Sequence, residues 1–262
     1  MNVIVQGASI HLEDEGSGPP VLFLHGNPDS SILWRQVIKE MKPRFRCLAP
    51  DLPGFGRSSF PQNFHCSLAE MAAFLEGLLN ELRVSEPVNL VVHDFGGPYG
   101  LAWAVKNPTR VRRMGILNTI FTADYRWHLW GRIWRTPVLG ELSLMTMNRW
   151  VFHASMRRNA PGLSDEHLRE TYALLTPSTK KMVLKLYRAA DPKNFRSWEE
   201  GLLQLTRKVP ACVLWGDRDP YIAPAFAERF GAQKVFHYSD YGHWLPVEAP
   251  QEVSARLMEF FA

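Results

Sequence analysis

Apolar positions along this chain alternate between two rhythms. Short apolar-rich runs at residues 21–24, 45–49, 88–92, 111–117, 211–215 and 234–237 are bounded by Gly, Pro or polar residues. Runs of this kind predict strands buried on both faces of a sheet. Residues 8–13 predict one more short strand, ahead of the turn Glu15-Gly16-Ser17-Gly18-Pro19-Pro20. Between the runs, apolar residues recur every three or four positions. The clearest case is residues 67–83, where Ser67 and Glu70 form a capping box ahead of Met71, Phe74, Leu75, Leu78, Leu79 and Leu82. Strand and helix in alternation predict an α/β fold with a mostly parallel central sheet flanked by helices.

The alternation stops near residue 120 and resumes near 210. The intervening stretch holds Trp127, Trp130, Trp134, Trp150 and Trp198 but no run that predicts a buried strand. It reads as a helical cap, residues 121–208, inserted into a core of residues 1–120 and 209–262. A cap placed there lies over the carboxyl ends of the strands, where open α/β sheets hold their ligands. Trp127, Trp130 and Trp134 are spaced as a helical stripe.

Composition narrows the class without changing this outline. With 262 residues, 46% hydrophobic and 21% charged, the chain is an ordinary globular one. No apolar run approaches the length of a membrane-spanning helix, and the first ten residues lack a secretory pattern. Cys47, Cys66 and Cys212 show no metal-ligand spacing and predict reduced thiols in a cytoplasmic protein. The net charge of +4 is uneven. Residues 121–208 carry fifteen Lys and Arg against eight Asp and Glu, and the rest fifteen against eighteen. The basic residues are dispersed, so a solvated cationic surface is predicted and nucleic acid is not. Neither a ligand cluster nor a phosphate-cradling glycine loop is present, which predicts no metal and no cofactor.

Three features follow predicted strands, where chemistry is expected. Val92-His93-Asp94-Phe95-Gly96-Gly97 joins a strand to a helix in the manner of a nucleophile elbow, with Asp94 in the place usually held by serine. The amide of Phe95 then stands at a helix N-terminus, suited to a developing anion. Gly216-Asp217-Arg218-Asp219 offers two carboxylates, and Tyr241-Gly242-His243-Trp244 offers a histidine. Nucleophile, acid and histidine in that order match the hydrolase arrangement. Either Asp217 or Asp219 is a candidate for the acid.

On these residues the chain resembles the α/β-hydrolases, and more narrowly the haloalkane dehalogenase and epoxide hydrolase branch with an aspartate nucleophile. His25-Gly26-Asn27-Pro28 resembles that branch's oxyanion loop, and Asp51-Leu52-Pro53-Gly54-Phe55-Gly56-Arg57-Ser58 resembles the loop after the next strand. The resemblance implies an α/β-hydrolase fold and a triad of Asp94, His243 and Asp219. It implies Asn27 and Phe95 as stabilisers of the oxyanion or leaving group. Trp127, Trp130, Tyr187 and Trp244 are expected around a pocket for a small, largely apolar substrate.

A carboxylate suits displacement at saturated carbon, giving an enzyme ester that His243 hydrolyses with water. The leaving group divides the alternatives. Asn27 and its surroundings are close to the dehalogenase form and favour halide. Phe95 has no side-chain donor where dehalogenases generally carry tryptophan. Cap tyrosines (Tyr187, with Tyr125 or Tyr172) would serve an epoxide, and a β-lactone-opening decarboxylase of the dehalogenase-like group combines the same elements. A ligand sensor on the same scaffold is the non-catalytic alternative.

Overall fold

The computed structural model describes residues 1–262. Eight strands form one sheet: β1 (Asn2–Val5), β2 (Ala8–Glu15), β3 (Pro20–Leu24), β4 (Arg46–Pro50), β5 (Val88–His93), β6 (Val111–Leu117), β7 (Ala211–Gly216) and β8 (Lys234–Tyr238). Their spatial order is β1-β2-β4-β3-β5-β6-β7-β8. The β1–β2 and β2–β4 pairings are antiparallel, and every pairing from β4 across to β8 is parallel. All seven strands expected from the apolar runs are present. The eighth, β1, is a four-residue edge strand whose Ile4 faces solvent, so it lacks the pattern of a buried run. The three strands β3, β5 and β7 are buried at every position, as helices on both faces require.

The core helices are α1 (Arg35–Met41), α2 (Leu68–Glu81) and α3 (Gly96–Lys106). Between β6 and β7 come α4 (Leu129–Arg135), α5 (Leu139–Met145), α6 (Arg149–Asn159), α7 (Asp165–Leu174), α8 (Pro177–Ala189) and α9 (Arg196–Leu205). The chain closes with α10 (Leu245–Glu248) and α11 (Pro250–Phe261). None of these helices is long and apolar enough to cross a membrane.

Several local expectations need adjustment. At α2 the Ser67 hydroxyl accepts the Glu70 N–H at 3.2 Å, but Glu70 accepts from His65 instead of closing the box on Ser67. Trp127 precedes α4, so only Trp130 and Trp134 belong to the helical stripe, where their rings stack 5.8 Å apart. The last helix of the insertion, α9, packs against α3: a Cβ on Gly201 would meet the Val105 side chain at 2.7 Å. Its Leu202 and Leu205 join the large apolar cluster around β5, β6 and β7. Helix α9 thus packs with the core, apart from α4 to α8 of the same insertion.

Candidate active site

Asp94 occupies the sharp turn between β5 and α3 with φ of 48°, a backbone conformation unusual for a side chain other than glycine's. Close packing holds it there. A Cβ on Gly96 would run into the Leu24 carbonyl, and one on Gly26 would run into the Asp94 carboxylate. The sheet and the loop carrying Asn27 thus approach Asp94 at van der Waals distance, which only glycine permits.

The loop carrying Asn27 is locked from behind. His25 donates from Nδ1 to the Gly26 carbonyl at 2.8 Å and accepts the Leu52 N–H on Nε2 at 2.8 Å, so its neutral tautomer is set by its partners. Burial lowers its pKa. Asp51 accepts the Ser31 and Arg57 amides, joining this loop to the loop after β4. The result is one directed bond: the Asn27 N–H donates to Asp94 Oδ1 at 2.7 Å.

The other carboxylate oxygen, Oδ2, faces His243 Nε2 at 3.5 Å, and His243 Nδ1 lies 2.6 Å from Asp219 Oδ2. Asp219 is tied down by the Tyr221 and Ile222 amides on Oδ1 and by Asn118 Nδ2 on Oδ2. Asn118 also bridges both backbone groups of Gly216, across the neighbouring strand end. Asp217 is elsewhere, paired with His237 at 2.6 Å on the surface. Of the two carboxylates, Asp219 is the one in contact with His243. His93 donates from Nε2 to the His243 carbonyl at 2.8 Å and supports the histidine from below.

Charge at the site follows from these contacts. Burial opposes ionisation of Asp94, but His243, His93 and the Asn27 N–H outweigh it and hold the carboxyl below its ordinary value. Burial likewise opposes protonation of His243, and Asp219 with Asp94 outweighs it, raising His243 well above 6.5. At neutral pH this gives an imidazolium held between two carboxylates. His93 is pushed down to about 4 by burial and by the charge of His243. Of these two histidines, whose tilted rings lie 4.7 Å apart, only His243 carries the positive charge.

Above these groups is a cavity lined by Asn27, Asp94 and His243 below and by Trp130, Trp134, Leu144, Met147, Phe152 and Tyr187 above. Trp244 lines it as well, but its indole N–H is already committed, donating to Asp29 Oδ2 at 2.8 Å. A smaller cavity on the other side of Asp94 is lined by Phe95, Tyr125 and Trp127. Phe95 is buried, stacked on Trp127 at 5.7 Å and met edge-on by Tyr187 at 4.8 Å. Of the three cap tyrosines, Tyr187 alone lines the main cavity. Its hydroxyl is held neutral by burial and by Asp94. The Tyr125 hydroxyl donates to the Tyr221 carbonyl at 3.2 Å, and Tyr172 packs on Phe152 outside the cavity.

Sequence reasoning missed Asn118, His128, Tyr221 and a buried pair, Asp29 and His167, that joins the loop of Asn27 to α7 at 3.1 Å. Position alone gives no signal for the last pair, since 138 residues separate its members.

The strand order, the elbow with its left-handed aspartate and the histidine–carboxylate pair are those of one fold. A family model described as the alpha/beta hydrolase fold matches residues 19–250. The chain belongs to the alpha/beta hydrolase family. Within it, this hydrolase lies in the dehalogenase-like branch. Haloalkane dehalogenase 2 of Mycobacterium tuberculosis is 30% identical over 96% of this chain and 91% of its own length. The cis-3-alkyl-4-alkyloxetan-2-one decarboxylase of Shewanella oneidensis is 29% identical over 97% of this chain and 85% of its own. Among solved structures, the haloalkane dehalogenase DbeA of Bradyrhizobium elkani superposes with a TM-score of 0.86, at 25% identity, over 99% of this chain and 96% of that one.

Proposed function

We propose that this hydrolase displaces a leaving group from saturated carbon through a covalent ester on Asp94, with carbon–halogen bond hydrolysis as its reaction. The observation that carries the reading is the unequal setting of the two Asp94 oxygens. Oδ1 is fixed by the Asn27 N–H at 2.7 Å, whereas Oδ2 stands 3.5 Å from His243 beside the apolar cavity. Oδ2 attacks the carbon as the carbon–halogen electrons leave with the halide, and the Asn27 side-chain amide stabilises the departing anion. Oδ1 becomes the carbonyl oxygen of the ester, already seated where an oxyanion is stabilised by the Asn27 and Phe95 amides.

Alkylation removes the negative charge of Asp94, one of the two charges that raise His243. Its proton is then more readily lost, and the neutral imidazole takes a proton from water as that water attacks the Asp94 carboxyl carbon. Asp219 orients the ring and stabilises the imidazolium that forms. Collapse releases the alcohol and restores the carboxylate. The apolar lining suits a small, largely apolar substrate, and relatives named for haloalkane dehalogenation support the choice of leaving group.

A second reading rests on Tyr187. A neutral phenol lining the cavity with Asn27 and Asp94 would protonate the alkoxide of a ring-opened epoxide. Intact-protein mass spectrometry of His243→Phe, incubated separately with a short bromoalkane and an aryl epoxide, separates the two. The expected result is an alkyl adduct without bromine on Asp94. An adduct with the whole epoxide and none from the bromoalkane would replace the halide reading with the Tyr187 one.

A further inference from the structure

Phe95 leaves the nucleophile without a neighbouring side-chain donor. The structure contains another group suited to that task. His128 caps α4: its Nδ1 accepts the Gly131 N–H at 3.2 Å. A ring nitrogen that accepts a hydrogen bond carries no proton, so in the neutral ring the proton sits on Nε2. The cap contact therefore chooses the tautomer and turns the N–H away from the helix. Nε2 has no protein partner, and it is not among the side-chain atoms sealed in the interior without one. It faces open space.

The imidazole lines both cavities flanking Asp94, and Tyr221 lines both with it. The His128 ring lies 4.9 Å from that of Tyr221, which lies 5.2 Å from that of His243. Burial presses the His128 pKa down to about 4, and Asp94 is the strongest of the charges acting on it. At neutral pH it is thus an uncharged ring with one N–H, able to donate a hydrogen bond but not to give up a proton.

We propose that His128 is a catalytic residue of this hydrolase, its Nε2–H donating to the leaving group alongside the Asn27 amide in place of the donor that Phe95 lacks. The proposal rests on Asp94 as nucleophile. As the carbon–halogen bond breaks, both electrons go to the halogen, and the growing charge accepts the Nε2–H. The proton stays on His128, and the halide departs as a free anion. Such a donor serves a leaving group that is stable as an anion. It does not serve an alkoxide, which must be protonated.

The test follows ester formation in His243→Phe by intact mass during incubation with a short bromoalkane. Adding His128→Ser keeps a good helix cap while removing the Nε2–H. The expected result is ester formation slowed about a hundredfold, the scale on which loss of one anion-directed donor acts. His128→Asn, which also caps, is expected to behave alike, and His128→Gln, whose amide reaches farther, to recover part of the rate. Bromide binding to the resting protein, followed by tryptophan fluorescence, should weaken about tenfold in His128→Ser. Ester formation at the parent rate in both capping variants would overturn the proposal and leave Asp94 in its role. An unmodified Asp94 in protein that retains His128 would overturn the nucleophile reading, and bromide affinity unchanged by His128→Ser would then dispose of His128 as an anion donor too.

Discussion

The sheet side of the cavity pairs its charged groups, whereas the cap side leaves neutral donors unpaired. On the sheet side, Asp94, Asp219 and His243 are joined to one another and to backbone amides, and Asn118 and His93 brace them from behind. On the cap side, the indole N–H groups of Trp127 and Trp134 are buried without an acceptor, and His128 presents an unused N–H. The difference follows from charge. A buried carboxylate without partners is too costly to keep, so the floor satisfies its own charges before any substrate arrives. An unpartnered indole is tolerable, and the roof keeps its donors for a ligand or simply fills space.

If the floor acts as one preassembled unit, removing its centre has the largest effect. Asp94→Ala should lower turnover by at least about 10⁴-fold, and a mass-verified variant that retains substantial activity would refute the mechanism. Next comes the acid. Asp219→Asn should cost about 10³–10⁴-fold in kcat, because His243 loses its orienting charge. Asp217→Asn, on the surface beside His237, should leave kcat within about twofold of the parent. Equal losses in the two variants would contradict the assignment.

The seam between floor and roof sharpens the comparison further. Asp29 accepts from Trp244 Nε1 at 2.8 Å and from Thr171 at 3.3 Å, and it faces His167 Nε2 at 3.1 Å. Burial opposes both charges of this pair. The mutual attraction outweighs it, raising His167 and lowering Asp29. Glu170 on α7 adds to the field at His167, and Arg35 opposes it. Replacing His167 with Leu leaves Asp29 charged and buried, and should destabilise the fold by about 3–5 kcal/mol in chemical denaturation.

The pH dependence of that loss has a definite sign. His167, raised in the folded state, contributes stability fully below its ordinary value of 6.5 and loses it as pH rises through the raised value. Asp29, lowered in the folded state, contributes above its ordinary 3.8 and loses its share as pH falls through the lowered value. The gap in stability between parent and His167→Leu should therefore be widest between those ordinary values and close at alkaline pH. A gap that grows with rising pH would show that the pair is not the source.

The smallest effect concerns the roof's packing. Phe95→Trp would introduce a side-chain donor beside Asp94, but Phe95 is already enclosed by Tyr99, Trp127 and Tyr187. Overpacking there should destabilise by about 1–3 kcal/mol. Thermal denaturation unchanged from the parent would mean that the aromatic cluster yields more readily than its spacing suggests.

The core strands were legible because each is a short apolar run that must be buried on both faces, and the elbow because a strand, a turn of small residues and a helix follow one another within a few positions. Asp94, His243 and the pair of late carboxylates could be named because each stands at the end of such a strand. Tertiary structure decided the rest, wherever the deciding contact joins residues distant in sequence. Asp219 was separated from Asp217 by Asn118, 101 residues away, and Tyr187 from Tyr125 and Tyr172 by the folding of the cap. Local pattern records which face of an element is apolar. It carries no trace of which buried charge meets which partner, because that depends on how whole elements pack.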